Sequence, residues 1–106
     1  MAKYLLLSHG GSMPESEEET AKVMEAWGAW YGQLGSAVAD PGNPFTPAAK
    51  GVAPDGSVSD GPAGTMASGY TVLEAGSLDA ATEMAKGCPV LRGGASISIF
   101  ETFEVM

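Results

Sequence analysis

Two stretches with helical spacing, set among four β-rich stretches, predict an α+β fold. The order along the 106 residues is strand, helix, strand, a long loop with a small hairpin, strand, helix, strand. That is the βαββαβ order of a ferredoxin-like fold with an antiparallel sheet. A further observation concerns coverage. Two helices cover only one face of a four-stranded sheet, yet the first strand is apolar on both sides. A second copy of the chain is the simplest cover for the other face, so the sequence predicts a homodimer packed through its sheet faces.

Each element has its own reason. AKYLLLSH, residues 2–9, is short, apolar and stopped by Gly10 and Gly11, as a strand should be. Its apolar residues do not alternate with polar ones, which suits burial on both faces. SMPESEEETAKVMEAWGAWYGQLG comes next as a helix. Ser12 or Ser16 can cap it, and Pro14 is tolerated in a first turn. Glu15, Glu17, Glu18 and Glu19 sit near the positive end of the helix dipole. Val23, Trp27, Trp30 and Leu34 recur at helical spacing with Met24 and Tyr31 beside them, forming a stripe for a core. Gly35 is the expected stop.

Residues 36–40, SAVAD, read as a short second strand. Five of the seven prolines (Pro41, Pro44, Pro47, Pro54 and Pro62) fall between 41 and 68, so no regular element runs through that stretch. Asp55-Gly56, flanked by Val52 and Val58, predicts a small hairpin within it. Long loops inside compact domains often carry function. GYTVLEA, residues 69–75, is the next strand. SLDAATEMAKG is the second helix, capped by Ser77, with Asp79 in its first turn. Its stripe is Leu78, Ala81, Met84 and Ala85; Gly87 ends it and Pro89 prevents continuation. ASISIFETFEVM is the last strand, with Ile97, Ile99, Phe103 and Val105 towards one side. The chain, 1–106, reads as one domain without internal repeats.

Charge narrows the function. Thirteen acidic residues against five basic ones give a net charge of −8. Lys3, Lys22, Lys50, Lys86 and Arg92 are scattered and form no basic stripe, which argues against nucleic acid and anionic membrane as partners. Cys88 is the only cysteine, which excludes an internal disulfide and fits a reducing compartment. The N-terminus lacks the apolar run of a signal peptide, and nothing approaches the roughly 20 apolar residues of a membrane helix. A cytoplasmic protein is expected.

The carboxyl-terminal half carries a resemblance. SDGPAG and then GYTVLEAGSLDAATEMAKGCPVLRGGASISI resemble the YCII-related, or DGPF-domain, family. Asp60, Gly61 and Pro62 match the loop that names the family, with Ala63 in place of its Phe. Gly69-Tyr70, Glu74-Ala75, Ser77-Leu78-Asp79-Ala80 and Cys88-Pro89 match the family's segment after that loop, and KYLLLSHG resembles its opening strand. The resemblance implies a dimeric α+β barrel of ferredoxin-like protomers. Some YciI-like relatives have a His–Asp pair in a cleft, proposed as an active site. One related lineage removes chloride from chlorinated aromatic diols.

His9 is the only histidine. Imidazole titrates near neutral pH and suits a general acid or base, given a carboxylate to orient it. Asp60 is the first choice, because the matching loop supplies it. The competing reading is a strand-end residue without a reactive role. Trp27, Trp30 and Tyr31 either line a pocket for a small organic ligand or pack in the core; helical spacing favours the core. Gly10, Gly11 and Ser12 before a helix could offer N–H groups to an anion, but the four glutamates crowd that end, and a turn needing glycine is the better reading. HGG without a G-x-S-x-G elbow is no lipase oxyanion loop. One His and one Cys are too few for a structural zinc site, so no metal or cofactor is expected. Cys88 comes after a helix C-terminus, which disfavours thiolate. Two functional expectations result. One is a small-molecule enzyme using a His9–Asp60 pair in a cleft near the dimer interface. The other is a non-catalytic metabolite-binding or interaction module with the same fold.

Overall fold

The computed structural model describes residues 2–11 and 15–105. β1 (Ala2–His9) is followed by α1 (Glu17–Leu34), a 3-10 turn at Gly35–Ala37 and β2 (Val38–Asp40). A hairpin of β3 (Lys50–Val52) and β4 (Val58–Asp60) comes next, then β5 (Ala67–Ala75), α2 (Leu78–Ala85) and β6 (Ser96–Glu101). The main sheet is antiparallel throughout, in the order β2-β5-β1-β6, while β3 and β4 form a separate two-stranded sheet. This is the ferredoxin-like α+β fold that the sequence predicts.

The core lies on one face of the sheet. Tyr4 and Leu6 from β1 and Leu73 and Ala75 from β5 meet Trp30 of α1, Ala81 and Ala85 of α2, and Cys88. Cross-strand register explains the choice: Leu6 stands between Thr71 and Ile99, and Tyr4 between Leu73 and Glu101. Ala81 and Ala85 let α2 sit close to the sheet. The Tyr4 hydroxyl escapes an unpaired burial by donating to Glu101 Oε1 at 2.7 Å. Gly87 has a packing role: a Cβ there would stand 3.3 Å from the Trp30 ring.

The alternate residues of the same strands point to the other face. Val72, Leu5 and Phe100 form one row across β5, β1 and β6, and Tyr70, Leu7 and Ser98 the next. Leu5, Leu7, Val72 and Tyr70 are only half-buried, and Phe100 is 51% exposed. Among the described residues, both helices pack on the core side and leave this face uncovered.

Ser16, one of the two expected caps, caps α1, accepting from the Glu19 N–H at 3.1 Å; Ser12 and Pro14 lie outside the described residues. Other expectations are corrected at the element ends. Val23 and Met24 are exposed, because only the second half of α1 reaches the core, through Trp27, Trp30, Tyr31 and Leu34. Leu78 likewise overhangs the start of α2 and is exposed. β2 begins at Val38, since the chain first makes a 3-10 turn. Phe103 and Val105 are outside β6 and exposed. The Thr102 N–H bonds the Lys3 carbonyl at 2.9 Å, and β1 begins one residue before Lys3, so the ladder has no partner beyond that point.

After β2 the loop continues along the β5 edge: the Phe45 N–H bonds the Ser68 carbonyl at 2.8 Å, and Pro44 bridges Gly69. Gly42 makes this approach possible. Its φ is 72°, and a Cβ would fall 1.8 Å from the Tyr70 carbonyl oxygen. The hairpin turns through Pro54, Asp55 and Gly56, with Val52 opposite Val58 and Gly56 at φ 89°. No helix among the described residues is long and apolar enough to cross a membrane.

Candidate functional site

Alternation along β1 sets where His9 points. Tyr4 and Leu6 face the core, so Leu5, Leu7 and His9 face the open side of the sheet. Gly10 and Gly11 come next with φ of 74° and 93°, turning the chain away. On β6, Ser98 holds the ring: its Oγ lies 3.1 Å from His9 Nε2. On the other flank the β1–β5 register slips. Ser8 pairs with Gly69 but His9 pairs with Ala67, so Ser68 is the extra residue of a β-bulge beside His9. Two polar atoms at this bulge, His9 Nδ1 and Ser68 Oγ, are buried and have no hydrogen-bond partner among the described residues. Buried polar atoms are paired in most structures, so two at one bulge mark the place. Phe45, tied to the Ser68 carbonyl, stacks on Tyr70 with ring centroids 5.9 Å apart.

Asp60 sits elsewhere. It ends β4, opposite Lys50, and pairs with the Lys50 ammonium; its side chain is 95% exposed. Among the described residues no hydrogen bond or ion pair joins Asp60 to His9 within the chain. The Asp60-Gly61-Pro62 loop closes the hairpin: the Gly61 N–H bonds the Ala49 carbonyl at 3.1 Å. Gly51 lies so close beneath it that a Cβ would meet Ser59 Oγ at 2.7 Å.

The aromatic trio lies on the core side, with the sheet between it and His9. Trp30 is 4% exposed and donates from Nε1 to the Met84 carbonyl at 3.0 Å. Trp27 packs edge-on against it at 5.6 Å, and the Tyr31 hydroxyl donates to the Pro41 carbonyl at 3.0 Å. Burial pushes the Tyr31 hydroxyl upward. Cys88 is buried under the same cluster, and burial pushes its thiol up. Among the described residues no group of three or more His, Cys, Asp and Glu side chains is placed to hold a metal ion.

The sequence singled out His9 as a candidate but not Ser98 and Ser68, which stand on the strands to either side of it. Their only signal was the strand register, which a single chain's sequence does not print.

These features define a ferredoxin-like α+β chain with an open sheet face and a lone histidine at its end. Among solved structures, the chain is similar to 5-chloro-2-hydroxyhydroquinone dehydrochlorinase from Burkholderia phenoliruptrix AC1100, solved in complex with 2,5-dihydroxybenzoquinone. The two are 16% identical, cover 95% of this chain and 93% of that one, and superpose with a TM-score of 0.57. At this identity the likeness is one of fold. No family model matches the chain, and no curated protein matches it in sequence.

Proposed function

We propose that the chain is a YCII-related domain that works as a cytoplasmic homodimer, two copies packing through their open sheet faces. The cleft so formed around His9 takes a small organic molecule. His9 accepts and returns a proton there at Nδ1, and Asp60 is the carboxylate that orients it, accepting from Nε2 across the dimer in place of Ser98. One observation carries the reading: a histidine whose Nδ1 is buried and unpartnered, at the end of an uncovered apolar face. The fold is shared with a dehydrochlorinase of a chlorinated hydroxyhydroquinone, which supports a small molecule as the occupant.

The test has two parts. A thermal-shift titration with 2,5-dihydroxybenzoquinone is expected to raise the midpoint of the wild-type dimer, because binding stabilises the native state. Chloride release from 5-chloro-2-hydroxyhydroquinone is then measured for wild type, His9→Ala and Asp60→Asn. Turnover that survives His9→Ala sinks the catalytic reading. A loss confined to His9→Ala removes Asp60 from it.

A second reading is that the dimer binds a metabolite without transforming it. It is favoured by the partners seen within one chain, where His9 bonds a serine and Asp60 a lysine. Saturable binding with no turnover in any variant decides for it.

A further inference from the structure

The two polar atoms left without a partner belong to residues of adjacent strands at the bulge, and each atom is itself buried although its residue is only half-buried. Such an atom costs free energy unless something satisfies it. Nε2 is already engaged with Ser98 Oγ, so the free valence of the ring is Nδ1. With the ring proton on Nε2 and donated to Ser98, Nδ1 carries a lone pair and accepts. A serine hydroxyl both donates and accepts. One hydroxyl group set between the two satisfies both: it donates to Nδ1 and accepts from Ser68 Oγ. The bulge is the device that brings Ser68 there. In regular register β5 offers one residue opposite His9, whereas here Ala67 and Ser68 share that position. The Ser68 backbone is fixed independently, because its carbonyl accepts from Phe45. Phe45 and Tyr70, stacked beside the bulge, supply a flat apolar wall for whatever carries the hydroxyl.

We propose that His9 Nδ1 and Ser68 Oγ form a two-point site for one hydroxyl oxygen, and that Ser68 is the positioning residue that selects a hydroxylated ligand at His9. The oxygen has two sources, water in the free protein and a hydroxyl of the bound molecule. This inference rests on the His9 reading above and sharpens it, since it names the group on the ligand that the histidine meets.

A single histidine makes the test direct: its ring nitrogens give unambiguous resonances in 15N-histidine-labelled protein. Phenol and anisole serve as probes, because they differ in the ability to donate a hydrogen bond. In wild type, phenol is expected to move the Nδ1 resonance in a saturable way and anisole to leave it in place. Ser68→Ala is expected to weaken phenol binding about fivefold to tenfold, the worth of one neutral hydrogen bond, without changing the response to anisole. Ser68→Thr restores phenol binding. Should Ser68→Ala not fold, Ser68→Cys, which keeps the size but donates weakly, replaces it. Phenol binding that is unchanged in the serine variants overturns the role of Ser68 while leaving His9 as a ligand site. An Nδ1 resonance that reports a hydrogen bond in the free protein but answers neither probe shows a water site only, and overturns the ligand half. If neither probe nor 2,5-dihydroxybenzoquinone moves the ring resonances at all, the His9 reading itself fails.

Discussion

At the residue scale, two positions show how far side-chain chemistry constrains this chain. Gly42 combines a left-handed φ with a backbone carbonyl where a Cβ would stand. Gly42→Ala must push the loop off the β5 edge and is expected to cost about 2–4 kcal/mol in urea denaturation. Cys88 is buried, and burial disfavours its thiolate, so its folded pKa is raised. Below the ordinary thiol range both folded and unfolded chains hold the proton, and the full stability is present. As pH rises, the unfolded chain ionises first, and stability falls until the folded thiol has titrated too. Urea midpoints are therefore expected to drop from neutral to alkaline pH, and Cys88→Ala should flatten that drop. Tyr31 acts in the same direction at higher pH and remains in the variant, so the difference between the two proteins isolates the thiol. An identical drop in both would remove Cys88 from the account.

At the element scale, α1 is two helices in one. Its second half is held by the core, while residues 17–25 are exposed on every side. That first half relies on local terms: the Ser16 cap, the acidic first turn of Glu17, Glu18 and Glu19, and the exposed Glu18–Lys22 pair. Removing the cap with Ser16→Ala is expected to cost about 1 kcal/mol locally. The loss should appear as faster amide exchange over residues 17–25, with little movement of the global melting midpoint. A large global shift would show that this half is packed against something in solution. The hairpin of β3 and β4 is a similar outlier, with Val52 and Val58 facing each other and both exposed. Its turn is fixed by Asp55, whose carboxylate accepts from the Ser57 N–H and is thereby held below the usual carboxylate range.

For the whole molecule, shape is the informative quantity. The chain spans 44 × 38 × 19 Å with a radius of gyration of 15.2 Å. A domain of this length is expected near about 13 Å. A thin slab with one covered face is the shape that the proposed packing of two copies would complete into a layered structure. Light scattering is expected to give twice the 10.7 kDa chain mass. Leu7→Asp places a charge on the open face and leaves the core untouched, so it is expected to give a folded monomer. Wild type that is already monomeric, or a Leu7→Asp variant that remains a dimer, contradicts packing through this face.

Much of this architecture was legible in the sequence because it is set by local chemistry. Period-3.6 and β-rich stretches, Ser16 and Ser77 at helix starts, Gly35 at a helix end and Asp55-Gly56 in a turn each act within a few residues. Element order, and with it the ferredoxin-like fold, comes from them. The Asp60-Gly61-Pro62 motif was equally visible, but its local neighbours tie it to Lys50 and the hairpin. Periodicity told which face of α1 is apolar and not how much of that face meets the core, hence Val23 and Met24.

Register is settled only when distant strands pack. A slip of one residue between β1 and β5 brings Ser68 beside His9, and the pairing of β1 with β6 brings Ser98 to the ring's other side. These contacts join residues about sixty to ninety positions apart in sequence, and no local preference specifies them. One histidine at the end of an inner strand was written in the order of residues alone. What that histidine meets depends on the three-dimensional pairing of strands far apart along the chain.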